Sequence, residues 1–147
     1  MRPSLPNPES DSLPLEDLLL ELERLNLPED QYVITSSAAL AARGIRGAKD
    51  IDIIVSDTLW DSLADKYTVN EEPFKSIKIT DTVEVLGPGS YFVDPSVATP
   101  DELLKDPEII HGHPFVRLEE LRRFKVLGNR EKDIKDVELI DQYLAMN

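Results

Sequence analysis

The sequence predicts an α+β domain, a small mixed β-sheet flanked by helices and followed by a C-terminal helical hairpin. Three observations lead there. Residues 32–56, YVITSSAALAARGIRGAKDIDIIVS, read as a strand, a small-residue turn, a short helix and a second strand. Residues 75–86 alternate apolar and polar positions on either side of Asp81, the pattern of a β-hairpin. Residues 116–127 and 131–145 repeat apolar side chains at helical intervals.

Along the chain, residues 1–14 place Pro3, Pro6, Pro8 and Pro14 among Ser, Asn and Asp, which predicts a flexible, extended tail ahead of a single domain over 15–147. Residues 15–25 set Leu15, Leu18, Leu19, Leu22 and Leu25 on one helical stripe, with Leu20 widening it. Tyr32, Val33 and Ile34 form an apolar strand. Ser36 or Ser37 then N-caps the helix-forming run Ala38 to Arg43, which Gly44 closes. Side chains alternate along a strand, so Asp50 and Asp52 are expected to project together, with Ile51, Ile53 and Val55 on the other face.

Asp57 is expected to cap a helix over 58–64 that buries Leu59, Trp60 and Leu63. Glu84 points away from Val83 and Val85. A hairpin lying beside the Asp50/Asp52 strand would make it a third carboxylate. Gly87, Pro88 and Gly89 mark a turn, residues 91–100 a loop, and 101–105 a turn or two of helix. His111 and His113 flank Gly112 ahead of Pro114. They read as structural or surface histidines in a turn, since no cysteine or clear third ligand accompanies them.

In the C-terminal hairpin, Val116, Leu118, Leu121, Phe124 and Leu127 form one stripe and Gly128-Asn129 ends the helix. Ile134, Val137, Leu139, Ile140 and Leu144 form the stripe of the second helix. Arg117, Arg122, Arg123, Lys125, Arg130, Lys132 and Lys135 gather here in an otherwise acidic chain. Lys132–Asp133 and Lys135–Asp136 offer surface salt bridges as the plainer use of these charges.

The 147 residues carry a net charge of −13. Such a surface repels nucleic acid, so extended nucleic-acid binding is not expected and any RNA end would be met through a local basic patch. The absence of cysteine agrees with a reducing compartment, and no apolar run approaches the ~20 residues of a membrane span. A cytoplasmic protein is expected.

Neighbouring carboxylates repel, and one tends to keep a proton unless a divalent cation lets both ionise; an all-oxygen site suits Mg²⁺ or Mn²⁺. The turn before the Ala38 run offers backbone N–H groups to an anion. Arg43, Arg46 and Lys49 flank the aspartates and can meet phosphates. An anion site and a cation site on adjacent strands are what a nucleoside triphosphate with its Mg²⁺ requires.

These residues carry a resemblance. The stretch from Tyr32 to Val55 resembles the signature of the nucleotidyltransferase superfamily with the DNA polymerase β-like fold, in which a strand ends in Gly-Gly or Gly-Ser, a short helix follows and the next strand carries Asp-x-Asp. It is most similar to small prokaryotic minimal nucleotidyltransferases, including those associated with toxin-antitoxin pairs. The lysine at 125 followed by Arg130-x-Lys132-Asp133-x-x-Asp136 resembles their closing segment. The resemblance implies a nucleotidyltransferase-type sheet, and transfer of a nucleoside monophosphate from an NTP such as ATP to a hydroxyl acceptor: a small molecule, a protein side chain or an RNA end. It implies Asp50, Asp52 and Glu84 as catalytic and metal-binding residues for Mg²⁺ or Mn²⁺, the glutamate standing where aspartate is usual. Ser36, Ser37, Arg46, Lys125 and Lys132 are implied at the nucleotide, Lys125 first among the lysines. Glycine is expected where Ser36 stands. That departure supports the alternative of a catalytically degenerate binding protein, or a two-component, toxin-antitoxin-like partner, on the same scaffold.

Overall fold

The structure, a computed structural model, describes residues 12–146. Residues 1–11 of the expected tail lie outside those described, as does Asn147. The rest of that tail is tied down: Leu13 forms an isolated antiparallel bridge with Ala48, its N–H donating to the Ala48 carbonyl at 2.9 Å.

Helix α1 (Leu15–Arg24) leads to β1 (Tyr32–Thr35), α2 (Ser36–Ala41), β2 (Ile51–Val55) and α3 (Asp57–Lys66). Strands β3 (Val69–Asn70), β4 (Ser76–Lys78) and β5 (Val83–Leu86) follow, then α4 (Pro100–Lys105), β6 (Glu108–Ile110), β7 (His113–Phe115), α5 (Leu118–Gly128) and α6 (Glu131–Met146). Among the described residues the strands make one mixed sheet in the order β3-β4-β5-β2-β1-β7-β6. The two central strands β1 and β2 run antiparallel, β2 and β5 parallel, and β1 and β7 parallel. The fold is therefore α+β, and α5 packs against α6 as the sequence predicts.

Register explains why the core and the polar cleft share the same strands. Ile77, Val85, Ile53, Ile34 and Phe115 are successive register partners across five strands, and all are fully buried. Side chains of that size each contribute about 1.5–3 kcal/mol on full burial. One residue along, Lys78, Glu84, Asp52 and Thr35 form the neighbouring row, which the pleat turns to the opposite face. A one-residue slip would exchange the rows.

Several local features differ from the sequence expectation. Leu20 is 50% exposed while Leu18, Leu19 and Leu22 are buried, because position 20 is about 200° around the helix from position 18. Ser56, rather than Asp57, N-caps α3, its hydroxyl accepting from the Leu59 N–H at 3.1 Å. The histidine segment is a β6–β7 hairpin whose two loop residues, His111 (φ 52°) and Gly112 (φ 77°), take the positive φ that a tight two-residue loop uses. In α6, Asp133, Asp136 and Ile140 turn inward, whereas Ile134 and Leu144 are exposed. The cause is Lys125 on α5, itself buried, which takes its counter-charges from that face. Asp133 and Asp136 thus join other cations than the Lys132 and Lys135 beside them. No helix among the described residues is long and apolar enough to cross a membrane.

Candidate functional site

The eight residues that the resemblance implies, Asp50, Asp52, Glu84, Ser36, Ser37, Arg46, Lys125 and Lys132, line one cleft of about 430 Å³, and Lys49 lines it with them. Two segments of the β1–β2 unit, the tip of β5 and the α5–α6 hairpin bring them together. The lining carries five cationic side chains, Arg46, Lys49, Lys125, Arg130 and Lys132, against four acidic ones. That local balance stands out in a chain of net charge −13.

One wall is the polar row of the sheet. Asp52 on β2 and Glu84 on β5 are register partners, so their carboxylates share a face; Asp50, just ahead of β2, lines the same cleft. Burial, then the charges of Asp50 and Glu84, push the Asp52 carboxyl up to about 7, against the pull of Lys132 and a hydrogen bond from Ser36. Lys132 is exposed and its charge reaches Asp52.

Ser36 begins α2 with φ 62°, in the left-handed region that favours glycine. The backbone thus keeps the conformation expected of a glycine while its hydroxyl serves Asp52. Neither Ser36 nor Ser37 caps α2. The N-cap is Thr35, whose side chain makes no capping bond. Thr35 is fully buried and its Oγ1 has no hydrogen-bond partner, a condition that costs about 1–3 kcal/mol.

The opposite wall is internally paired. Lys125, 3% exposed, donates to Asp136 Oδ2 at 2.8 Å and lies 3.8 Å from Asp133 Oδ1. Asp136 also accepts from Arg46 Nη1 at 2.8 Å. Asp133 accepts from Arg130 Nε at 2.8 Å and from the Tyr91 hydroxyl at 3.0 Å, and Arg130 also meets Tyr91 directly. Burial opposes the charge of Asp133, but the Arg130 and Tyr91 hydrogen bonds overcome it and hold the carboxyl below its ordinary range. Gly128 allows this closeness: a Cβ there would meet Asp133 Oδ2 and the Tyr91 ring, each at 2.6 Å. Asp133, Asp136, Arg130 and Tyr91 were not among the residues expected at the site; the spacing of the two aspartates was visible, their inward direction was not.

Arg43, expected near phosphates, points elsewhere. Its guanidinium donates to the carbonyls of Ala39 at 2.8 Å and Val116 at 2.9 Å and pairs with Glu108 at 2.6 Å, joining α2 to the far side of the sheet. His113 is buried, with Nδ1 3.3 Å from the Tyr32 hydroxyl and Nε2 3.7 Å from Glu23, and His111 is exposed.

The donors on the sheet wall suit a hard cation. Asp50, Asp52 and Glu84 offer oxygen alone, and the orphaned Thr35 hydroxyl beside Asp52 leaves one more polar group for an occupied site to use. Among the described residues no group of three or more His, Asp or Glu could hold a metal ion by itself. Mg²⁺ is ordinarily held by one or two carboxylates together with water and substrate phosphates, and Asp52 and Glu84, as register partners on one face, offer two. Compared with known proteins, the chain is matched by no family model, no curated protein and no solved structure.

Proposed function

We propose that the chain is a metal-dependent nucleotidyltransferase of the DNA polymerase β-like kind, moving a nucleoside monophosphate from an NTP to a hydroxyl acceptor. The observation that carries this reading is the placement of Asp52 and Glu84 side by side, with Asp50, opposite a wall of Arg46, Lys125, Arg130 and Lys132 in one cleft. Mg²⁺ or Mn²⁺ held by Asp52 and Glu84 together with water and the nucleotide's own phosphates, with Asp50 lining the same cleft, would supply charge neutralisation at the triphosphate and polarise the attacking hydroxyl. In the balanced reaction the acceptor oxygen bonds to the α-phosphorus, the α–β bridge breaks and pyrophosphate leaves. Lys132 is exposed and near enough for its charge to act on Asp52, so a phosphate held at that carboxylate would lie within its reach. Lys125 and Arg46 stand behind it, aligned by Asp136.

A second reading, a binding protein or two-component partner on the same scaffold, is favoured by a separate observation. Lys125 already has Asp136 at 2.8 Å, and a phosphate would have to compete with that carboxylate.

The test is a thermal-shift panel of ATP, CTP, GTP and UTP, with and without Mg²⁺, on the wild type and on Asp50→Asn/Asp52→Asn. A nucleotide-selective rise that needs Mg²⁺ and is lost in the double variant is the expected result. No rise at millimolar nucleotide puts any Kd near or above that concentration and turns the reading to the partner.

A further inference from the structure

We propose that Thr35 is a positioning residue for Asp52: its hydroxyl, without a hydrogen-bond partner in this structure, donates to the Asp52 carboxylate when that carboxylate holds a divalent cation. The inference rests on the reading of the cleft as a cation-triphosphate site.

Threonine at this position is hard to explain from the fold alone. Thr35 is fully buried at the end of a central strand, where valine would fill nearly the same volume with no polar atom to satisfy. As the residue preceding α2 it has the usual opportunity of a threonine, to accept from the helix's first N–H groups, and its side chain does not take it. A hydroxyl that neither caps nor pairs is left for another purpose.

Geometry names the acceptor. Thr35 and Asp52 are register partners on β1 and β2, and such partners have Cβ atoms about 4.5–5.5 Å apart on one face. Rotation of the threonine side chain spans what remains. A carboxylate offers about four lone-pair sites, and Ser36 fills one. Two consecutive hydroxyls therefore flank Asp52, Ser36 engaged and Thr35 in reserve. Carboxylates that ligate a metal are held in orientation by such outer hydrogen bonds. The hydroxyl of Thr35 would fix which Asp52 oxygen faces the cleft, without touching substrate.

The experiment compares wild type, Thr35→Val and Thr35→Ser in two readouts: the melting temperature without cation or nucleotide, and the apparent Mg²⁺ affinity by calorimetry with each of ATP, CTP, GTP and UTP. Thr35→Val is expected to melt at or above the wild-type temperature yet bind Mg²⁺ about 10-fold more weakly, while Thr35→Ser keeps wild-type affinity. An unchanged Mg²⁺ affinity in Thr35→Val beside a responsive wild type overturns the role of Thr35 and leaves the reading of the cleft intact. A Thr35→Val melting temperature well below wild type in the absence of ligand also overturns it, since the hydroxyl would then be at work in the resting fold. A wild type with no Mg²⁺-dependent response to any triphosphate removes the reading of the cleft and this role with it.

Discussion

Asp136 and Asp52 face the same cleft from opposite walls, yet one is surrounded by cations and the other by carboxylates. Asp136 lies 2.8 Å from both Lys125 and Arg46, and its neighbour Asp133 is held by Arg130 and Tyr91. Burial, and then the charges of Asp50 and Glu84, push the Asp52 carboxyl up to about 7, with an orphaned Thr35 hydroxyl on its register partner. The helical wall is complete as it stands. The sheet wall keeps a repulsion and an unmet hydrogen bond, two costs that folding alone does not require and that a bound cation would relieve.

If this contrast is right, removing acids from the two walls has opposite effects on stability. Asp136→Ala takes from buried Lys125 the nearer of its two carboxylates and from Arg46 its ion-pair partner, leaving Lys125 only Asp133 at 3.8 Å, and is expected to cost up to about 3–5 kcal/mol in urea unfolding. The loss is to be read without Mg²⁺ or nucleotide, because Asp136 also aligns Lys125 and Arg46 in the cleft.

Asp52→Asn should act the other way, and with pH. The Asp52 carboxyl titrates near 3.8 when unfolded and near 7 in the fold, so between those values the folded chain retains a proton that the unfolded chain has lost. Wild-type stability from this group therefore falls as pH rises from about 4 to about 7 and is level above. Asparagine has no such loss. Asp52→Asn is expected to gain on the wild type by up to about 4 kcal/mol between pH 4 and pH 8, as read by urea unfolding at the two values.

Ser36→Gly sharpens the contrast on the backbone. It relieves a left-handed serine at φ 62° while removing the hydroxyl that serves Asp52. A net gain of about 1 kcal/mol is expected, since the left-handed conformation costs a side-chain-bearing residue about 1–2 kcal/mol. The smallest effect belongs to a pair outside the cleft. Arg122 and Asp141 join α5 to α6 through two hydrogen bonds of 2.7 and 3.0 Å, but their side chains are 38% and 51% exposed. Arg122→Ala is expected to cost less than about 1 kcal/mol, and less again in high salt.

The sheet wall was legible in the sequence and the helical wall was only half so. Period-2 alternation placed Glu84 opposite to Val83 and Val85, and pairing of β5 with β2 then set it beside Asp52, because both facts depend on local pattern and register. Helical periodicity predicted the hairpin, but the expectation that Lys125 and Lys132 meet at the cleft came from the resemblance of that closing segment and not from the periodicity. The inward turn of Asp133 and Asp136 did not, because apolar periodicity assigns aspartates to solvent and cannot register that a buried lysine on another helix needs them. Arg43 misled for a related reason: it adjoins the α2–β2 segment in sequence, but its carbonyl acceptors and Glu108 lie on α2, after β7 and on β6. The β6–β7 hairpin was hidden by its brevity, and a His-Gly loop was the one signal that gave it away. Thr35 carried no signal in the sequence beyond its place in the small-residue turn, since an unsatisfied hydroxyl is a property of packing.

The most direct test of the contrast is to titrate the Asp52 side chain itself, following its ¹³Cγ chemical shift by NMR with and without Mg²⁺ and the triphosphate that the thermal panel selects. The predicted result is a midpoint near 7 in the free protein, moving down toward or below the ordinary carboxylate range of about 4 when Mg²⁺ and nucleotide are present. A midpoint near 4 in the free protein, unmoved by Mg²⁺, would contradict the account, because Asp52 would then be an ordinary solvated acid and the sheet wall would hold nothing in reserve.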